Sequence, residues 1–276
     1  MRRSQLRSLG LAGGALVAVL IGAIGVAEGQ SGGRIEAGAQ RESRQEATEL
    51  ARSVASRKHS PTAAFAARPP YGRVAGISTK RLAEFPRSGN SFMILSTGNV
   101  FLADNKNSSG SSGQIAGGPG IRGARDVTIF RFNLQVPKGR NCLSFRFRFL
   151  TEEFPEFLNQ EFNDGFIAEI DETTWGTTSF ESPRINAPRN FAFDSRGNFI
   201  TVNAAGDSTV TKANAKGTTY DGATRVLRAS TRVPSGKHRL YLSIFDQGDR
   251  QFDSAVFVDR LTFSGSTNCK TGVVVD

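Results

Sequence analysis

Between Asn141 and Leu150 the chain reads Asn-Cys-Leu-Ser-Phe-Arg-Phe-Arg-Phe-Leu. In an extended backbone Leu143, Phe145, Phe147 and Phe149 share one face, and Ser144, Arg146 and Arg148 share the other, because successive side chains alternate. A helix would spread the same phenylalanines around its circumference. The segment is therefore a strand with a polar outer face and an inner face that needs a second apolar layer against it.

The texture continues on both sides. Val127-Thr-Ile-Phe-Arg-Phe-Asn-Leu-Gln-Val136 alternates in the same way, and Pro137-Lys-Gly139 is a turn between the two strands. Further strands are predicted at 91–96, 99–103, 165–170, 198–203, 224–233, 238–245 and 255–263, separated by turn signals such as Gly206-Asp207, Asp221-Gly222 and Pro234-Ser-Gly236. The Asn105 to Gly120 stretch, rich in Ser, Asn and Gly, reads as a loop. No helical crossover of the length a parallel sheet requires is visible. The expected fold is all-β, an antiparallel β-sandwich of jelly-roll type spanning 72–270, followed by a tail at 271–276.

The first 29 residues read as an export leader. Arg2, Arg3 and Arg7 precede an uncharged run from Leu9 to Ala27, and Ala27-Glu-Gly29 suits a signal peptidase. The alternative is an uncleaved anchor, since the run approaches the roughly 20 residues of a spanning helix. Arg2-Arg3-Ser-Gln-Leu6-Arg7 partly resembles a twin-arginine signal but lacks its aromatic at Gln5. Residues 30–71 are polar, and within them Ala47, Leu50, Ala51, Val54 and Ala55 form a narrow helical stripe. That stripe predicts a short helix on an exposed tether ending before Pro61. The expected location is outside the cell, secreted or at the surface, with membrane contact only through an uncleaved leader.

Charge and cysteines narrow the function. Residues 1–90 carry 14 Lys and Arg against 6 Asp and Glu, whereas residues 91–276 carry 21 against 19. The predicted domain is nearly neutral, which disfavours nucleic acid as a partner. An exported chain meets oxidising conditions, so Cys142 and Cys269 are expected to form a disulfide. Closing a loop of that length is worth about 3–5 kcal/mol in the chain-entropy description.

Two acidic segments carry the candidate chemistry. Thr151-Glu-Glu-Phe-Pro-Glu-Phe157 continues to Glu161-Phe-Asn-Asp-Gly165, and Asp246-Gln-Gly-Asp-Arg-Gln-Phe-Asp-Ser-Ala255 lies between two predicted strands. Glu152, Glu153, Asn163, Asp164, Asp246, Asp249 and Asp253 are thus expected in loops at strand ends. Calcium takes six to eight hard oxygen ligands from irregular chain of this composition. The competing readings are acidic turns paired with Arg250, Arg146 or Arg148, or paired carboxylates of a glycan hydrolase with Trp175 as a stacking platform. Only one Trp and three Tyr are present, and no nucleophile elbow accompanies His59 or His238, so no enzyme is expected. His238 is expected on the surface of a strand.

The segments Phe149-Leu-Thr-Glu-Glu-Phe-Pro-Glu-Phe157, Phe162-Asn-Asp-Gly-Phe166, Asp221-Gly-Ala-Thr224 and Asp246-Gln-Gly-Asp-Arg-Gln-Phe-Asp-Ser-Ala-Val-Phe257 resemble, in order, the motifs of the choice-of-anchor L domain family. The resemblance runs over about residues 90–263. Thr151 and Phe154 stand where the family favours Ser and Tyr, and Ile200-Thr-Val-Asn-Ala-Ala205 only loosely matches its Asn-rich strand. The resemblance implies an exported bacterial β-sandwich displayed at the cell surface, with no defined reaction. The expected role is a binding or structural domain, stabilised by calcium, for a surface glycan or protein. A self-associating envelope protein is a further reading. No C-terminal anchor is expected, so attachment would be N-terminal or the protein would be released.

Overall fold

A computed structural model describes residues 35–37, 44–55, 61–70, 72–105, 120–178 and 184–276. Numbered along the chain, its strands are β1 (Ile35–Ala37), β2 (Thr62–Ala67), β3 (Ala75–Ser78), β4 (Phe92–Ser96), β5 (Arg125–Val136), β6 (Cys142–Thr151), β7 (Gly165–Ile170) and β8 (Gly176–Thr177). They continue with β9 (Ile185–Asn186), β10 (Ile200–Thr201), β11 (Gly222–Ala223), β12 (Leu227–Arg232), β13 (Gly236–Asp246), β14 (Ser254–Ser264) and β15 (Gly272–Val275). One helix, α1, spans Arg44–Val54.

Among the described residues the strands make two large antiparallel sheets and a separate two-stranded pair, β8-β9. The larger runs β1-β3-β4-β14-β6-β12-β15, with β11 pairing the end of β6; the smaller runs β10-β7-β13-β5-β2. The alternation that defines β6 is realised as expected. Phe145, Phe147 and Phe149 are buried in the central cluster with Val256 and Val258 of β14, facing Phe130, Phe132 and Leu134 of β5 and Leu240, Leu242 and Ile244 of β13. Phe166 of β7 reaches across the gap, its ring 5.0 Å from Phe147 and edge-on to Phe145 at 6.4 Å. Each such ring contributes about 2–3 kcal/mol by leaving water. The antiparallel sandwich is thus observed.

Both sheets are also covered on part of their outer faces, which the alternation did not reveal. Leu82, Phe85, Val100 and Tyr220 pack over Phe92, Ile94 and Phe257 of the larger sheet. Arg148 points to that outer side as expected, yet it is buried: its guanidinium donates to the carbonyls of Ala83 and Asn214, both at 2.9 Å, and to Glu84 at 2.8 Å. Arg146 pairs with Asp276. On the smaller sheet Trp175 stacks on Phe245 at 4.3 Å, with Arg122 above it. Only 1 % of Trp175 is exposed, so it is no platform for a sugar.

Four boundaries differ from expectation. The helix of the expected tether lies inside the domain: Ala47, Leu50, Ala51 and Val54 join the central cluster, against β2 and the β3–β4 side of the larger sheet. β2, also within the expected tether, pairs with β5 as the edge of the smaller sheet. The expected tail holds β15, paired with β12 from Leu227↔Val275 to Ser230↔Gly272. The expected strand at 99–103 is instead a 3₁₀ turn at Val100–Leu102, because Asn99 Oδ1 accepts from the Phe101 amide at 3.0 Å and caps it. The expected leader, His59 and most of the 105–120 loop lie outside the described residues.

Cys142 and Cys269 are bonded, with Cα atoms 5.6 Å apart, tying the start of β6 to the chain entering β15. The position of α1 yields a direct prediction. Leu50→Ala should lower the unfolding free energy by roughly 2–4 kcal/mol, as for other large-to-small changes in a core. Chemical denaturation reads this; an unchanged midpoint would return α1 to the status of a tether.

Candidate cation-binding site

The acidic loops meet because of strand register. Ser254 pairs with Thr151, and Phe245 pairs with Gly165. The end of β6, the start of β7, the end of β13 and the start of β14 therefore stand together at one end of the sandwich. Ala255↔Ser96 brings Ser96-Thr97-Gly98 to the same place.

A hydrogen-bond network knits these ends. The Ser254 hydroxyl donates to Asp164 Oδ2 at 2.6 Å and lies 3.0 Å from Thr151 Oγ1. The Gln247 amide donates to Asp164 Oδ1 at 3.0 Å. The Asp253 amide donates to Glu152 Oε2 at 3.1 Å, and the Glu152 amide to the Asp253 carbonyl at 3.0 Å. Thr97 Oγ1 accepts from the Ser254 amide at 2.9 Å. Gly98 is required here, since a Cβ on it would fall 2.0 Å from Asp253 Oδ2.

Of the seven sequence-predicted residues, Glu152, Glu153, Asp164, Asp246 and Asp253 are at most 2 % exposed. Asn163 and Asp249 are half-buried. Asn163 Oδ1 accepts from the Asn203 amide at 3.2 Å, and Asp249 Oδ1 caps its own turn through the Gln251 amide at 3.0 Å. Sequence reasoning missed Thr97 and Gln247, which carry no charge, and Asp126, which is 3 % exposed and acts on Asp246 from the start of β5. An acidic residue beginning the 127–136 alternation was the available signal for Asp126.

The other matched motif supports the same end. The Asp221 amide donates to the Thr151 carbonyl at 3.1 Å, and Thr224 Oγ1 accepts from the Phe149 amide at 3.2 Å. A Cβ on Gly222 would lie 2.6 Å from the Phe154 ring, so glycine lets the 154–162 loop fold down. Phe157 contacts Phe162 at 5.1 Å and Phe252 at 4.9 Å, which joins the two acidic loops through aromatic packing.

Electrostatically the cluster is uncompensated at its centre. Asp246 is met, among the described residues, by the Thr97 hydroxyl and by Asp164 alone, Glu153 Oε2 has no donor within hydrogen-bonding geometry, and neither the nitrogen nor the oxygen of the Gln247 side chain has a partner. Among the described residues no Lys or Arg pairs with Glu153, Asp164 or Asp246, and the charged groups that act most on them are other carboxylates. Burial, then Asp164, Asp249 and Glu152, push Glu153 up to about 9. Burial pushes Asp164 up to about 7 despite its bonds from Ser254 and Gln247. Burial, then Asp164 and Asp253, hold Asp246 well above the carboxylate range, and the Thr97 hydroxyl only partly offsets them. Like charges enclosed together must take up a proton or a cation. Among the described residues no three Asp, Glu, His or Cys side chains already converge on one point, so the loops form a carboxylate cluster rather than an assembled cage. The donors nonetheless suit a hard divalent ion, since all are oxygens and several are uncommitted. They do not suit acid–base hydrolysis, because the carboxyls are sealed from solvent instead of facing a cleft.

No curated protein matches the sequence. A solved structure, TmCBM61 in complex with beta-1,4-galactotriose, aligns over 74 % of this chain and 86 % of its own, with 8 % identity and a TM-score of 0.29; so loose a superposition says nothing about what this chain binds. The choice-of-anchor L domain sequence model matches residues 45–264, from within α1 to the end of β14. Proteins with such domains are bacterial secreted or cell-surface proteins, and the family points to a non-catalytic domain. Among the described residues no helix is long and apolar enough to cross a membrane. The chain belongs to the choice-of-anchor L domain family.

Proposed function

We propose that this protein is a secreted or surface-displayed binding domain whose loops at the 151–164 and 246–253 end are braced by calcium. The observation that carries the reading is Asp246, buried among other carboxyl groups with no Lys or Arg paired to it among the described residues. Asp246, Glu153 and Asp164 would hold the ion, with Asp253 and Glu152 beside them and the Gln247 side-chain carbonyl as a neutral ligand. The ion would supply positive charge to a cluster that otherwise repels itself, drawing two irregular loops into one rigid surface. Its contribution is structural, and no reaction is assigned.

Thermal unfolding tests this. A ligand at 100 times its Kd that binds only the native state stabilises it by about 2.7 kcal/mol. For a domain of this size that is roughly 5–10 °C in Tm. Calcium should produce such a rise over chelator. Asp246→Asn should abolish it and, by removing a carboxyl that the folded state encloses at a cost, should leave the chelator-treated protein at least as stable as wild type. Identical wild-type melting curves with calcium and with chelator would sink the proposal.

The pH dependence has a definite sign. In chelator Glu153 and Asp164 have folded-state pKa values raised to about 9 and about 7, above the ordinary carboxylate value near 4. Between these limits the folded state holds protons that the unfolded chain releases, so stability falls as pH rises. The fall begins above about pH 4, with the Asp164 part complete near 7 and the Glu153 part near 9. In chelator Tm should therefore decline from pH 5 to pH 9. Calcium, which requires the deprotonated carboxylates, should flatten or reverse that decline. A chelator Tm that climbs over the same range would contradict the assignment.

A further inference from the structure

A second feature lies away from the acidic end, where β14 breaks its alternation. Val256 and Val258 point into the central cluster, and strict alternation would send residue 260 there as well. The pairing with β6 instead shifts between Asp259↔Arg146 and Thr262↔Ser144, so Arg260 and Leu261 together oppose one residue of β6. Arg260 takes up the extra position with φ at 55°, in the left-handed region that favours glycine. Leu261 and Phe263 then fill the inner face, and Arg260 is turned out to solvent. An arginine held where glycine would sit without strain points to a use for its guanidinium.

The bulge forms one wall of an open cleft of about 690 Å³, shared with the end of α1 and the turn at 88–91. That volume falls within the roughly 300–1,000 Å³ of small-molecule sites. Buried contacts hold the walls. The Asp259 carboxylate, 2 % exposed, accepts from the amides of Arg87 and Ser88, both at 2.7 Å, and of Arg260 at 2.6 Å. Ala55 bridges to Leu261, and the Ser91 hydroxyl donates to the Ser53 carbonyl at 3.4 Å. Asp259 is the one carboxylate in the lining, and it is engaged by those amides. Arg52, from the last turn of α1, and Arg260 both line the cleft and are exposed. Among the described residues neither guanidinium has a hydrogen-bond or ion-pair partner, and the Asn90 side chain is likewise uncommitted. Two such guanidiniums favour a carboxylate, whose oxygens they can grip in pairs. The hydroxyl and amide groups of Ser88, Asn90 and Ser91 suit the hydroxyls of a sugar. A hydrocarbon tail is poorly served, since Val54, the largest apolar residue in the lining, is 2 % exposed.

We propose that this cleft binds an acidic sugar, its carboxylate held between Arg52 and Arg260 and its hydroxyls at Ser88, Asn90 and Ser91. This rests on the reading of the protein as a binding domain and gives it a ligand class, but not on the cation, since Arg260 stands six residues along β14 from Ser254, about 20 Å away. Calorimetric titration of the full chain with trigalacturonate, its methyl ester and inorganic phosphate tests it, in chelator so that calcium does not sequester the carboxylates. Trigalacturonate should bind, and the ester and phosphate should each bind about tenfold or more weakly. Arg52→Gln/Arg260→Gln, with an unchanged melting curve, should weaken trigalacturonate by a similar factor, the loss expected on removing charge-assisted contacts. Arg260→Gly, which suits the left-handed backbone, should weaken it too. Lys237→Gln/Arg239→Gln, which removes as much exposed charge elsewhere on the surface, should bind as wild type. Failure of trigalacturonate to bind, equal affinity for the ester, undiminished affinity in the Arg52 and Arg260 variants, or an equal loss in the Lys237 and Arg239 variant would each overturn the proposal. Each of these results leaves the calcium-dependent rise in Tm untouched, so the two readings fail separately.

Discussion

The pairing of Thr151 with Ser254 is the contact on which the rest depends. It sets the register of β6 against β14 at the centre of the larger sheet, and so decides which face Phe145, Phe147 and Phe149 present to the core. A slip of one residue would turn that row outward. The same pair sets the acidic end. Ser254 gives its hydroxyl to Asp164 and sits beside Thr151, so the residue that closes the ladder also holds the first carboxylate. Core packing and site assembly are consequences of one register, and the carboxylates can be buried only because the phenylalanines behind them fix it.

That dependence explains why an arrangement unfavourable in itself persists. Enclosing Glu153, Asp164 and Asp246 together costs free energy at neutral pH, by desolvation and by mutual repulsion. The central cluster, the aromatic cover on both outer faces and the Cys142–Cys269 bond supply stability that can carry the cost. Charge strain at the end of a well-packed sheet marks a place kept for something other than folding.

Much of this was legible in the sequence, and the boundary follows from the range of the interactions. Period-two alternation reports local geometry, so β5, β6, β7, β13 and β14 could be read close to their observed limits. The acidic loops were visible as composition. Their burial was not, because it depends on the pairing of residues 151 and 254, far apart in the chain. Arg148 shows the same limit: alternation placed it on the outer side, but only the Ala83 and Asn214 carbonyls, brought in by long connections, reveal that this side is covered. The 99–103 segment misled because Val100-Phe-Leu102 is apolar, while the decisive atom is the capping oxygen of Asn99. The helix looked like a tether because its apolar stripe is mostly alanine, yet it is through that stripe that it packs into the central cluster against β2, β4 and β14.

The sandwich therefore divides its work along β13. At one end the strand delivers Asp246 into a closed cluster of carboxyl groups whose loops are pinned to each other; at the other it carries His238, held by Asp171, beside an open cleft between the sheets. The strand between them is packed on its inner face by Leu240, Leu242 and Ile244 and on its outer face by Tyr241 and Phe245. A segment buried on both sides resists bending and gives the two ends a fixed separation. A change in the charge of the acidic end would then alter global stability without reshaping the cleft. Rigidity of this kind suits a displayed domain, because the surface it offers stays the same while the conditions that stabilise it vary.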